Sequence, residues 1–73
     1  MQITYDPRSD AMYLQLAPDA AMKSLRNKRI ENVVFDLNVK GEVVGIEILD
    51  IRRSGFDPNV QVIFSGQAEA PRP

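Results

Sequence analysis

Glu47 sits in the run Val43 to Ile51, VVGIEILDI, with apolar residues on both sides of it. A carboxylate among apolar neighbours has its charged form penalised, and a raised pKa suits a general acid or base. Acid–base work also needs a second group and a pocket, and no catalytic companion stands at a fixed spacing from Glu47. The competing role is structural: an ion pair or hydrogen bond with a basic or tyrosine side chain, in the sheet or across an interface. That reading is preferred, and no catalytic residue is assigned. Asp6, Asp10 and Asp36 could together offer oxygen to a hard cation such as Mg²⁺. The spacing matches no complete metal loop, and a carboxylate at position 6 before Pro7 is explained by turn capping. No metal and no cofactor are expected.

Lys23, Arg26, Lys28 and Arg29 form a local basic cluster, with Arg52 and Arg53 further on. On one face they could grip phosphates while Tyr5 or Tyr13 stacks on bases, which makes a nucleic-acid-binding regulator the alternative function. Short basic stretches are more often solvated, and nine basic against ten acidic side chains give no global positive field. Histidine and cysteine are both absent, which removes the usual nucleophilic triads, the commonest transition-metal ligand and any disulfide. No glycine-rich phosphate loop occurs. Nothing in these patterns calls for an enzyme.

These residues must be positioned by a small domain. Seventy-three residues lie near the lower limit for independent folding. Such a chain buries only about 60 % of its unfolded surface, so a second source of buried surface is expected. Without disulfides, self-association is the natural one. Apolar runs are too short to span a bilayer, and MQITYDP lacks the features of a signal peptide, so a cytoplasmic location is expected. Residues 1–66 are expected to form one β-rich domain and residues 67–73, QAEAPRP, a flexible tail.

Period-two alternation dominates the chain. Gln2 to Tyr5 and Ala11 to Leu16 read as strands joined by the turn DPRSD. Met22 to Ile30, MKSLRNKRI, fits either a strand or a short helix, with its flanking strands favouring the former. The clearest unit is Val33 to Leu49, two β-rich runs around Asn38-Val39-Lys40-Gly41, where Gly41 suits the left-handed position of a type I turn with a G1 bulge. Continued regularly, that turn opposes residues whose numbers sum to 80: Leu37 with Val43, Phe35 with Gly45, Val33 with Glu47. Phe35 would then cover the gap at Gly45. Both sheet faces would be substantially apolar, with Glu47 the charge on one of them, and a second subunit would cover one face. Val60 to Phe64 reads as a last strand or an intersubunit arm.

The combination Y-D-P-x-x-D-A-x-Y-L (Tyr5 to Leu14) and V-V-F-D-L-N-x-x-G-x-V-V-G-I-E-I-L-D (Val33 to Asp50) resembles the domain of unknown function 2283 family of small prokaryotic proteins. The resemblance implies a compact, β-rich single domain and carries over no catalytic residue. It also implies an antitoxin-like role against a small toxin-like protein. The basic middle segment MKSLRNKR departs from the pattern, and the chain beyond Ile51 has no counterpart in it. The expected fold is therefore mainly β, or β-rich α+β: one antiparallel sheet of four or five strands with room for one short helix. The expected function is a homo-oligomeric protein-interaction module, with Tyr5, Asp6, Asp10, Tyr13, Phe35, Asp36, Gly41, Gly45 and Glu47 as structural or interface residues.

Overall fold

The computed structural model describes residues 1–59. The strand or arm expected at 60–64 and the tail at 67–73 lie outside them. Five strands follow in chain order: β1 (Gln2–Asp6), β2 (Ala11–Gln15), β3 (Arg26–Ile30), β4 (Val33–Leu37) and β5 (Val43–Ile48). They form one antiparallel sheet in the order β1-β2-β5-β4-β3. Among the described residues the one helical element is a 3-10 turn at Asp19–Ala21, directly after Pro18. The segment 22–30, open between strand and helix, resolves to strand from Arg26 onward. Pairing with β4 along all five positions outweighs its weak helical spacing.

Local chemistry accounts for the turns. Asp6 accepts the Arg8 N–H and the Ser9 hydroxyl, both at 3.0 Å, so the β1–β2 turn is held by an Asx cap as its sequence predicts. Asn38 organises the β4–β5 turn. Its Oδ1 accepts the N–H groups of Lys40 and Glu42, each at 2.9 Å, and its Nδ2 donates to Glu42 Oε1 at 2.8 Å. Gly41 takes φ +83° and its N–H bonds the Asn38 carbonyl at 2.9 Å, the turn predicted for this tetrapeptide.

The predicted register holds only for the first rung beyond that turn. Leu37 opposes Val43 as expected, but Asp36 opposes Gly45, Phe35 opposes Ile46, Val34 opposes Glu47 and Val33 opposes Ile48. One residue of β5, Val44, is therefore extra. It is a β-bulge, and beyond it the numbers sum to 81 instead of 80. A one-residue offset in a period-two structure exchanges the faces, so the expectation of two apolar faces is corrected. Val44 itself is 5 % exposed, and its carbonyl accepts the Leu16 N–H at 2.9 Å on the other side of β5. The bulged residue is thus tied to β2 where it loses its partner on β4.

The outcome is one apolar and one polar face. Two rungs define the apolar face: Ile3, Leu14, Ile46, Phe35 and Lys28 in one row, and Tyr5, Met12, Ile48, Val33 and Ile30 in the next. Two others define the polar face: Thr4, Tyr13, Glu47, Val34 and Arg29, then Gln2, Gln15, Gly45, Asp36 and Asn27. No second layer of secondary structure covers the apolar face among the described residues. Part of one end is covered by the segment that follows β5, which turns back so that Ile51 is only 1 % exposed.

Candidate interaction surfaces

Gly45 is central to the polar face. A Cβ built there would lie 1.8 Å from the Tyr13 hydroxyl oxygen and 2.6 Å from its Cζ, so only glycine leaves room for the ring. Tyr13 crosses β5 at this point and donates its hydroxyl to Asp36 Oδ2 at 2.7 Å. Asn27 Nδ2 donates to the other carboxylate oxygen, extending the chain of bonds from β2 across β5 to β4 and β3. Burial, the bond to Asp36 and the charges of Asp36 and Glu47 push the Tyr13 phenol up to about 12. An aromatic does cover the glycine, as the sequence predicts, but it is Tyr13 and not Phe35. The bulge moves Phe35 one rung along, onto the opposite face.

Glu47 stands beside Tyr13 and Val34 on the same polar face, half-buried, and among the described residues it makes no hydrogen bond or ion pair. The expectation of one charge set in an apolar face is thus corrected by the same bulge. The arrangement gives it no acid–base companion other than Tyr13, whose phenol is held protonated. No group of three or more potential metal-ligating side chains occurs among the described residues. Asp6 is committed to its turn, and Asp36 to Tyr13 and Asn27.

Asp10 has a different task. It adopts φ +54° and uses both its backbone and its carboxylate to hold the segment after β5. The Asp10 carbonyl accepts the Ile51 N–H at 3.0 Å, and the carboxylate accepts the Arg52 N–H at 3.1–3.2 Å. The Tyr5 hydroxyl donates to the same carboxylate at 2.7 Å, while the Arg52 guanidinium lies 5.9 Å from the Tyr5 ring centre. The Tyr5 bond foremost, with the backbone N–H groups of Arg52 and Arg53, holds the Asp10 carboxyl below its ordinary value; the Tyr5 phenol is correspondingly raised. Sequence reasoning placed Tyr5 and Asp10 near one turn. It missed the third participant, because nothing local in Arg52 signals a contact 42 positions away.

The segment held by Asp10 forms one wall of an apolar recess of about 220 Å³, lined by Met12, Ile48, Ile51, Phe56 and Asp57. Phe56 remains 56 % exposed at its mouth. Beyond the recess the apolar face is open: Leu14, Phe35 and Ile46 are half-buried, and Leu16 and Ile30 at its margins are exposed. Ala11, Val44 and Ile51 are the buried apolar side chains among those described, and of these Ile51 alone is fully buried.

The basic segment forms the outer strand of the sheet. Every residue of β3 is exposed, and Lys23 just before it is exposed too. Among the described residues none of Lys23, Arg26, Lys28 and Arg29 takes part in an ion pair. The register divides them: Lys28 shares a rung with Phe35 on the apolar face, whereas Arg29 shares one with Val34 and Glu47 on the polar face. They do not form the single cationic face on which the nucleic-acid alternative depends.

No helix among the described residues is long and apolar enough to cross a membrane. No curated protein and no solved structure matches the chain. A family model does: it covers residues 2–52, all five strands and the Asp10-bound start of the segment after them, and by that match the chain belongs to the family described as Protein of unknown function (DUF2283).

Proposed function

We propose that the protein is a self-associating protein-interaction module whose apolar sheet face is covered by the same face of a second copy. One observation carries this: a five-stranded sheet with one apolar face has only three buried apolar side chains among those described, Ala11, Val44 and Ile51. A sheet with one apolar face is stable when that face packs on another layer, and two sheets meeting face to face are a standard solution. Five strands spaced about 4.8 Å apart and about 17 Å long present roughly 400 Å² in projection. Accessible area exceeds projection because side chains stand out of the plane. Two facing copies therefore approach the total of about 1,200 Å² at which specific interfaces begin. Charge favours one orientation. Lys28 rims the face on the β3 side, so a two-fold axis parallel to the strands, setting β3 over the second copy's β1, keeps like charges apart.

As an antitoxin-like protein, such a dimer would act by occlusion, covering the surface of a small toxin-like partner with an edge or face left free by self-association. Sedimentation equilibrium of the full chain at micromolar concentration tests the self-association directly, and a dimer is expected. Phe35→Glu puts a carboxylate opposite Lys28 on the adjacent strand, which preserves the monomer's fold while charging the interface. It should sediment as a monomer with an unchanged far-ultraviolet circular dichroism spectrum. A monomeric wild-type chain would overturn the proposal and assign the cover of the face to the chain's own remaining residues or to a different protein.

A further inference from the structure

We propose that the outer edge of β3 is a docking edge for an extended acidic segment of a partner protein, which joins the sheet as a sixth strand. The edge lies in the plane of the sheet, so covering the apolar face with a second copy does not occupy it. Among the described residues β3 pairs with β4 on one side only, and its backbone N–H and C=O groups on the other side have no strand there to bond. From Lys23 to Ile30 the chain has four cations and no acid, and none of those cations is in an ion pair among the described residues. Arg29 is partly oriented, its Nε donating to the Glu31 carbonyl at 2.8 Å.

The distribution of these charges selects the ligand. Lys28 projects with the apolar face and Arg29 with the polar face, so cations flank the edge on both sides of the sheet plane. A ligand lying on either face meets only part of the set. A strand added in the plane alternates its own side chains between the two faces and meets all of it. Main-chain bonds supply affinity in such an addition and charge supplies selectivity. Nucleic acid is less well served. The aromatic ring of the polar face, Tyr13, is laid across Gly45 and bonded to Asp36, and Glu47 beside it repels phosphate. Self-pairing of the edge is opposed as well, because an antiparallel β3–β3 contact sets Lys and Arg side chains against one another. The opposite edge, β1, carries one charge in its five residues, Asp6, so the two edges are not equivalent.

The test uses the full chain and four probes at low and moderate salt: a strand-prone peptide of Glu and Thr, the same peptide with Gln for Glu, the acidic peptide N-methylated at alternate residues, and an oligothymidylate of equal charge. The acidic peptide should bind, and it should slow hydrogen exchange at outward-facing amides of Arg26–Ile30 while leaving β1 unchanged. Loss of charge in the peptide, or Lys28→Glu with Arg29→Glu in the protein, should weaken binding by about tenfold or more. N-methylation should weaken it comparably by removing the main-chain bonds. Undiminished binding of the N-methylated peptide would overturn strand addition. Preference for the oligothymidylate would replace the proposal with a nucleic-acid surface. Absence of binding to all four probes at low salt would remove the edge as a docking site.

Discussion

Gly45 and Tyr13 behave as a single unit. The ring occupies the volume a side chain at position 45 would need, and its hydroxyl reaches Asp36 only by lying there. Gly45→Ala must expel the ring, losing a half-buried hydrogen bond and straining the strand, for a cost of about 2–3 kcal/mol. The Tyr13 phenol reports the same event. Its value in the folded protein is raised from 10.0 to about 12, so the stability it contributes is fully present below pH 10 and lost as pH rises through about 12. Alkaline titration of phenolate absorbance should therefore show one tyrosine ionising near 12 in the wild type. In Gly45→Ala that tyrosine should return towards 10, and a variant that keeps the high value would show that the ring reaches Asp36 by another path.

The hairpin formed by β4 and β5 shows how far local rules reach and where they stop. Asn38 and Gly41 specify the turn by themselves, through three side-chain bonds and one residue of positive φ. Gly41→Val forces a β-branched residue into that conformation and should cost about 1 kcal/mol or more, read as a lowered denaturant midpoint with unchanged slope. The β1–β2 and β4–β5 hairpins follow from alternation and turn chemistry in the same local way. Met22 to Ile30, by contrast, stays open between strand and helix, and the β2–β5 pairing joins residues 30 or more positions apart. The bulge is not local either. Val43-Val44 looks like any β-rich pair, and its irregularity arises because Tyr13 on β2 and Asp36 on β4 need Gly45, and no larger residue, between them. That demand comes from two other strands. A hairpin read alone cannot express it, and its regular register sets Phe35 over Gly45 and Glu47 in an apolar face. The residue types were legible as candidates, but their assignment to faces was not.

Across the whole chain, Asp10 joins the first hairpin to the segment that follows the last strand. Its carboxyl is held low by the Tyr5 hydroxyl and by backbone N–H groups, so its contribution is present above the unfolded value near 3.8 and lost as pH falls through the depressed folded value. Asp10→Asn keeps a residue that tolerates left-handed φ but removes the charge. It should lower stability near neutrality and converge with the wild type in acid only once pH has fallen below the depressed folded value of Asp10, where both side chains are uncharged. Amide exchange at Ile51 and Phe56 should quicken in the variant before exchange in β5 does. Equal exchange across all three would show that the segment is held by Ile51 packing alone.

The bulge at Val44 also bears on how such a chain can vary over descent. Substitution at Val44 changes a packed side chain, a graded loss of the ordinary kind. Removal of Val44 preserves parity: the regular pairing set by the turn would then place Leu37 with Val43, Asp36 with Gly45 and Val34 with Glu47, the partners they already have, at the loss of the bulge and of the Val44 packing. An added residue with no second bulge to absorb it would turn Ile46 and Glu47 over relative to β4, so a single-codon insertion has to be balanced by a deletion before the two sides of the sheet are restored. Chain length in this interval therefore tolerates the loss of one residue better than the gain of one.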